Sequence, residues 1–256
     1  MSVLQVNFAS KSLRRQVTFN ALIPVDTEHV GQMKALYLLH GYSGNYMDWM
    51  CGTKIQDLSQ RYNIAVFMPS GNNSFYLDDP DKYDNYGEYI GEELPEFTRK
   101  MFRLSDNVQD TWIGGLSMGG YGSIRNGLKY SNTYGRIIAL SSALITNRVA
   151  TIPVGYKDGI ADYNYYTRVF GDLSKLLGSD KDPFALYSSV RESKGPIPKM
   201  YIACGTEDFL IEENREYSKF LKTQNADITY VEGPGDHNWD FWNEYVEKGI
   251  LWALKD

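Results

Sequence analysis

The sequence predicts an α/β fold, a mostly parallel central sheet with helices on both faces, and three observations predict it. Short continuous apolar runs recur along the chain, as in strands buried on both faces of a parallel sheet. Segments with helical spacing alternate with those runs, which is the pattern of crossover connections. The length of 256 residues suits one sheet covered by helices, so a single domain spanning 1–256 is expected.

Taken in order, residues 3–8 and 15–23 alternate apolar and polar side chains and read as two strands pairing ahead of the main sheet, with Pro24 ending the second. The run at 34–39 is the first buried strand and ends in His40-Gly41. Runs at 64–68, 111–114, 136–140 and 199–204 continue the sheet, and 228–231 is its last strand. Helical spacing covers 48–60, 86–102 with a kink at Pro95, 119–130, 211–224 and 239–254. Two regions break the alternation. Residues 70–85, rich in Asn, Asp, Tyr and Gly, form a long loop on the strand-end side. Residues 144–194 carry Tyr156, Tyr163, Tyr165, Tyr166 and Phe170 among polar residues, and their aromatic content argues against disorder. This insertion reads as a small cap of short helices over the strand ends.

Composition narrows the classes of function. Hydrophobic residues make up 43% and charged residues 23%, and the net charge of -6 leaves no basic face for nucleic acid or anionic lipid. No stretch approaches the ~18 consecutive apolar residues of a membrane span. Residues 1–8 alternate like a strand and lack the charged and apolar regions of a secretory signal, so a cytoplasmic protein is expected. Cys51 and Cys204 lie far apart with no C-x-x-C partner and read as small buried apolar filler. With only His29, His40 and His237, and no H-E-x-x-H or Cys/His cluster, no metal is implied.

The chemistry is carried by Gly115-Leu116-Ser117-Met118-Gly119, a G-x-S-x-G pattern directly behind the strand run at 111–114. A sharp strand-to-helix turn holds such a serine in a strained backbone conformation, exposes its Oγ and brings neighbouring backbone too close for a Cβ at the glycines. A serine hydroxyl needs a base to take its proton as it attacks. His237, in the loop Gly233-Pro234-Gly235-Asp236-His237-Asn238-Trp239 after the last strand, is the candidate, while His40 is read as bracing the loop after the first buried strand. The base needs a carboxylate to orient it, lying in sequence between Ser117 and His237 at a strand end. Asp208 in Gly205-Thr206-Glu207-Asp208-Phe209 fits, with Glu207 the competitor and Asp172, Asp180 and Asp182 more remote choices. The oxyanion of a tetrahedral intermediate needs two backbone donors, for which Met118 N–H and Tyr42 N–H are the candidates.

Four segments together resemble the esterase D family of α/β-hydrolases, in particular its bacterial tributyrin esterase and acetylesterase branch. They are Leu38-Leu39-His40-Gly41-Tyr42-Ser43-Gly44-Asn45, Gly114-Gly115-Leu116-Ser117-Met118-Gly119-Gly120-Tyr121-Gly122, Cys204-Gly205-Thr206-Glu207-Asp208-Phe209-Leu210 and Gly235-Asp236-His237-Asn238-Trp239. The resemblance covers nearly the whole chain. It implies an α/β-hydrolase fold and cofactor-free cleavage of short-acyl carboxylic esters, acetyl to butyryl, with Ser117, Asp208 and His237 at the triad positions and Tyr42 and Met118 at the oxyanion positions. S-formylglutathione hydrolases of that family typically have a Leu-Thr-Cys-like sequence after the His-Gly, where this chain has Tyr42-Ser43-Gly44, a departure that disfavours the glutathione thioester. Cinnamoyl or feruloyl esters are the alternative within the class. An acyltransferase would use the same residues, whereas a non-catalytic carbohydrate binder would have no need of them. Trp49, Tyr76 and Trp239 are expected to wall a small acyl pocket, and exposed aromatics mark a substrate rim or the interface of a homo-oligomer.

Overall fold

Eight strands form one twisted sheet in the order β1-β2-β4-β3-β7-β8-β9-β10 in the computed structural model, which describes residues 1–25 and 31–255. The strands are β1 (Ser2–Ser10), β2 (Arg15–Ile23), β3 (Lys34–Leu39), β4 (Ile64–Pro69), the short antiparallel pair β5 (Asp78–Asp79) and β6 (Asp84–Asn85) outside the sheet, β7 (Thr111–Leu116), β8 (Arg136–Leu140), β9 (Lys199–Gly205) and β10 (Ile228–Gly233). From β4 to β10 every pairing is parallel. β2 runs antiparallel to both β1 and β4, so the first two strands extend the main sheet at its edge instead of pairing apart from it. Because β2 is buried along its second half, it has a second neighbour to satisfy, which alternation alone does not reveal.

The alternation of side chains across the sheet divides the core into two layers. On one face Ala35, Tyr37, Leu39, Ile113, Ile137 and Ile202 pack with the helical stretch 86–101, with the helices Met118–Lys129 and Ile211–Thr223 and with the aromatics of the 144–194 segment. On the other face Leu36, Leu38, Val66, Trp112, Ile138 and Ala203 pack with Asp48–Gly52, Ile55–Tyr62 and Trp239–Leu254. The stretch expected at 48–60 is therefore two helices, and Trp49 lies in the first of them. In the helix at 86–101 the departure from α geometry is a widened π-type turn at Tyr89–Glu93, just ahead of Pro95, which opens the second α segment. Proline has no N–H and crowds the carbonyl four residues back, and a widened turn relieves both.

The 144–194 segment holds the helices Thr146–Val149, Tyr163–Phe170 and Pro183–Glu192 with a short 3₁₀ turn at Leu173–Lys175. It is clamped onto the Met118–Lys129 helix: the Tyr121 hydroxyl donates to the Lys181 carbonyl at 2.5 Å, and buried Arg125 binds the Asp180 carboxylate at 2.6 Å. Among the described residues no helix is long and apolar enough to cross a membrane. Cys204 is buried as expected, and burial pushes its thiol well up; Cys51 instead is exposed, because it falls on the outer side of a one-turn helix whose inner side is taken by Trp49.

Candidate active site

The carboxyl ends of β3, β7, β8, β9 and β10 lie side by side, and the loops leaving them carry the candidate groups, as is usual for ligand sites in open α/β sheets. Ser117 follows β7 with φ 54° and ψ -118°, a conformation that L residues rarely adopt. It is held there because its N–H donates to the Leu140 carbonyl at 2.9 Å and its own carbonyl accepts from Tyr121 and Ala143 at 3.0 Å each. The flanking glycines are steric requirements. A Cβ on Gly119 would land on the carbonyl oxygens of Leu39 and His40, and one on Gly115 on the backbone of Gly119. The register Leu39↔Gly115 brings β3 this close and sets the loop 40–45 against the serine turn.

His237 and Asp208 meet across β9 and β10. The imidazole Nδ1 lies 2.9 Å from Oδ2 and 3.1 Å from Oδ1 of Asp208, with the carboxylate buried and the ring half-buried. With Nδ1 so engaged, Nε2 is the nitrogen free for proton transfer. Phe209 packs against the imidazole at 4.5 Å between centroids, and Trp242 meets it edge-on at 4.9 Å. Burial pushes the Asp208 carboxyl up, yet hydrogen bonds from His237, the Leu210 N–H and the Ser141 hydroxyl outweigh that and hold it below the usual carboxylate range. The competing carboxylates are engaged elsewhere. Glu207 accepts from the Gly235 N–H and the Thr206 hydroxyl, Asp172 and Asp182 cap helical turns, and Asp180 pairs with Arg125 and Lys129.

Among the described residues neither the Tyr42 N–H nor the Met118 N–H donates to a protein acceptor, which leaves both open to an incoming oxyanion. His40 is fully buried and spent on architecture. Its Nε2 accepts the Gly71 N–H at 2.8 Å, so the neutral tautomer carries its proton on Nδ1, which donates to the Gly41 carbonyl at 2.7 Å. Burial lowers its pKa. A lowered folded-state pKa means that its contribution to stability is complete above the unfolded value of about 6.5 and is lost as pH falls below it toward the folded value. The urea midpoint is expected to drop between pH 7.5 and 5.5, and His40→Gln to remove that slope; an unchanged slope in the variant would assign it to other groups. His29 lies outside the described residues.

A cavity of about 50 Å³ opens at Ser117, lined among others by Tyr42, Phe75, Met118, Ile145, Tyr166 and Leu210. Trp49, Tyr76 and Trp239 do not line it, which corrects the expectation for all three. Trp49 is buried in the opposite layer and donates its indole N–H to the Leu39 carbonyl at 3.0 Å. Trp239 stacks edge-on against Trp49 and Trp242 and covers Gly52. Tyr76 turns inward, giving its hydroxyl to the His40 carbonyl at 3.0 Å, while its neighbour Phe75 faces the cavity. Both take φ above +50°, a double reversal that no hydropathy pattern announces. Tyr165 and Tyr166 were visible in sequence as unexplained aromatics of the 144–194 segment, whereas Phe209, exposed beside His237, carried no signal beyond its adjacency to Asp208.

The Asp158 carboxylate organises one rim of this cavity. It accepts the N–H groups of Ile160 and Ala161 at 2.8 and 2.7 Å and the Tyr166 hydroxyl at 3.0 Å, so Ile160 and Tyr166, both lining residues, are tied to one anion. Among the described residues no group of His, Cys, Asp and Glu is arranged to hold a metal ion.

Comparison with known proteins bears on the family and the fold. The model of the Esterase family, described as "Putative esterase", matches residues 10–251. An acetyl esterase of Caldicellulosiruptor saccharolyticus is 52% identical over 263 residues, covering 100% of this chain and 99% of that protein. Among solved structures, the fluorophosphonate-binding serine hydrolase FphF of Staphylococcus aureus superposes with a TM-score of 0.87 at 26% identity, covering 100% of this chain and 99% of the other. The S-formylglutathione hydrolase FrmB of the same organism gives 0.86 at 26% identity, over 99% of each chain. The strained serine turn after β7, the His237–Asp208 pair at the ends of β9 and β10 and these matches lead to one conclusion: the chain belongs to the Esterase family and is a serine hydrolase of carboxylic esters with an α/β-hydrolase fold.

Proposed function

We propose that the enzyme hydrolyses short-chain acyl esters, acetyl to butyryl, with Ser117 as nucleophile, His237 as general base and acid, Asp208 as the carboxylate that orients it, and Tyr42 and Met118 as the oxyanion donors. Ser117 Oγ adds to the ester carbonyl while His237 Nε2 takes its proton. The carbonyl oxygen, now negative, accepts from the two backbone N–H groups, each worth about 3 kcal/mol in comparable hydrolases. His237 returns the proton to the departing alcohol oxygen as the C–O bond breaks, leaving an acyl-enzyme. Water, deprotonated by the same imidazole, then releases the acid and restores the serine. No cofactor takes part in this scheme, and the partner it calls for is a small ester.

The observation that carries the acyl-length assignment is the cavity at Ser117, small at about 50 Å³ and walled mostly by apolar side chains, which favours a short acyl group. The 52% identical acetyl esterase supports it. The 144–194 segment acts as the cap, since Ile145, Arg148, Ile160, Tyr165 and Tyr166 of that segment close the cavity from above. Its core residues Leu144, Val149, Tyr166, Phe170 and Leu186 join the hydrophobic cluster of the sheet, so the cap and the sheet make one domain.

A chromogenic ester series from acetyl to octanoyl, with feruloyl added, tests the proposal. Activity is expected to peak at about two to four acyl carbons, and Ala143→Leu, which fills the cavity, to lower kcat/KM for butyryl by about tenfold more than for acetyl. A preference for octanoyl or feruloyl would overturn it.

A further inference from the structure

We propose that Glu207 is a positioning residue that fixes both peptide planes of Gly235 and thereby holds the turn bearing His237 in its working position; the proposal rests on His237 being the general base. Gly235 lies two residues before His237 at φ +140°, so its backbone has freedom that a residue with a side chain would lack. Glu207 removes that freedom from both sides. Its carboxylate Oε2 accepts the Gly235 N–H at 2.6 Å, which fixes the Pro234–Gly235 peptide. Its own N–H donates to the Gly235 carbonyl at 3.1 Å, which fixes the Gly235–Asp236 peptide.

Two further contacts set the geometry of this clamp. The Thr206 hydroxyl donates to the same Oε2 at 2.9 Å and orients the carboxylate, and the Thr206 N–H donates to the Gly233 carbonyl at 2.9 Å where the turn begins. The two loops pack so closely that a Cβ on Gly205 would strike the Gly235 carbonyl. Beyond His237, Asn238 caps the helix Trp239–Leu254 by accepting the Phe241 N–H at 3.1 Å, so the far end of the turn is anchored to the helix. The near end leaves β10 at Gly233, which the Thr206 N–H holds, and beyond it Glu207 holds Gly235. Consecutive residues thus hold two different parts of the base, with Asp208 orienting the imidazole ring and Glu207 orienting the backbone from which the ring hangs.

Glu207 is exposed, and its removal strands no buried polar group, so catalysis and folding separate cleanly. The test compares Glu207→Ala and Glu207→Gln with the parent enzyme on a chromogenic acetyl ester, with His237→Ala run in parallel. Glu207→Ala is expected to lower kcat about tenfold with KM within about twofold, since a small displacement of a catalytic group costs rate more than binding. Its thermal midpoint is expected to stay within about 2 °C, and Glu207→Gln, whose amide oxygen still accepts from Gly235, to recover kcat to within about twofold of the parent. An unchanged kcat in Glu207→Ala, or a Gln variant as impaired as Ala, would overturn the proposal. An active His237→Ala enzyme would instead overturn the assignment of the base, so the two failures are told apart.

Discussion

Ser117→Ala is expected to lower kcat by about a million-fold, the loss seen when a triad nucleophile is removed from a comparable hydrolase. The residual rate would come from the Tyr42 and Met118 N–H groups and from substrate binding, which need no nucleophilic oxygen. Folding should survive, because alanine replaces serine with no added volume at φ 54° and the three backbone hydrogen bonds that hold this turn do not involve the side chain. Fluorophosphonate labelling gives a second readout: the parent enzyme should be labelled at Ser117 and the variant should stay unlabelled. A variant that keeps more than about one per cent of turnover would remove Ser117 from the mechanism.

Asp208→Asn comes next in size, with kcat expected to fall about ten-thousandfold because an amide favours the wrong imidazole tautomer and cannot stabilise the imidazolium. The same substitution has a signature in stability. Burial opposes ionisation of Asp208, but His237, the Leu210 N–H and Ser141 together hold the folded-state pKa below the ordinary value. A depressed pKa contributes stability that is complete above the unfolded value of about 3.9 and is lost as pH falls through the folded one. The parent should therefore lose more stability than Asp208→Asn between about pH 5 and pH 2. Urea midpoints across that range decide it, and parallel curves down to pH 2 would contradict the assigned shift.

The site's chemistry was legible because each group sits where a strand ends, and the strands can be read from the sequence, β7 and β9 as buried apolar runs. Ser117, Asp208 and His237 follow β7, β9 and β10, so fixing the strands fixed the neighbourhood of all three. The walls of the cavity were not legible, since which way a loop side chain points is decided by local backbone reversals. Phe75 and Tyr76 are chemically alike neighbours, yet one meets the substrate space and the other braces His40. Trp49 and Trp239 likewise belong to a helix-on-sheet layer that proximity in sequence to a catalytic loop does not reveal. The edge strands and the widened turn before Pro95 depend on which neighbours the chain finds after folding, and periodicity carries no information about that.

The two-layer core has a further consequence. The helix that starts just after Ser117 is rooted in one stratum, and the helix that starts just after His237 is rooted in the other. Their spacing is thus set across the sheet, with the end of β8 as the shared anchor: Leu140 accepts the Ser117 N–H and Ser141 accepts the Trp242 indole N–H. A slip of either stratum by a fraction of an ångström would displace Ser117 relative to His237 while each half stayed folded, so this enzyme can fall silent without melting.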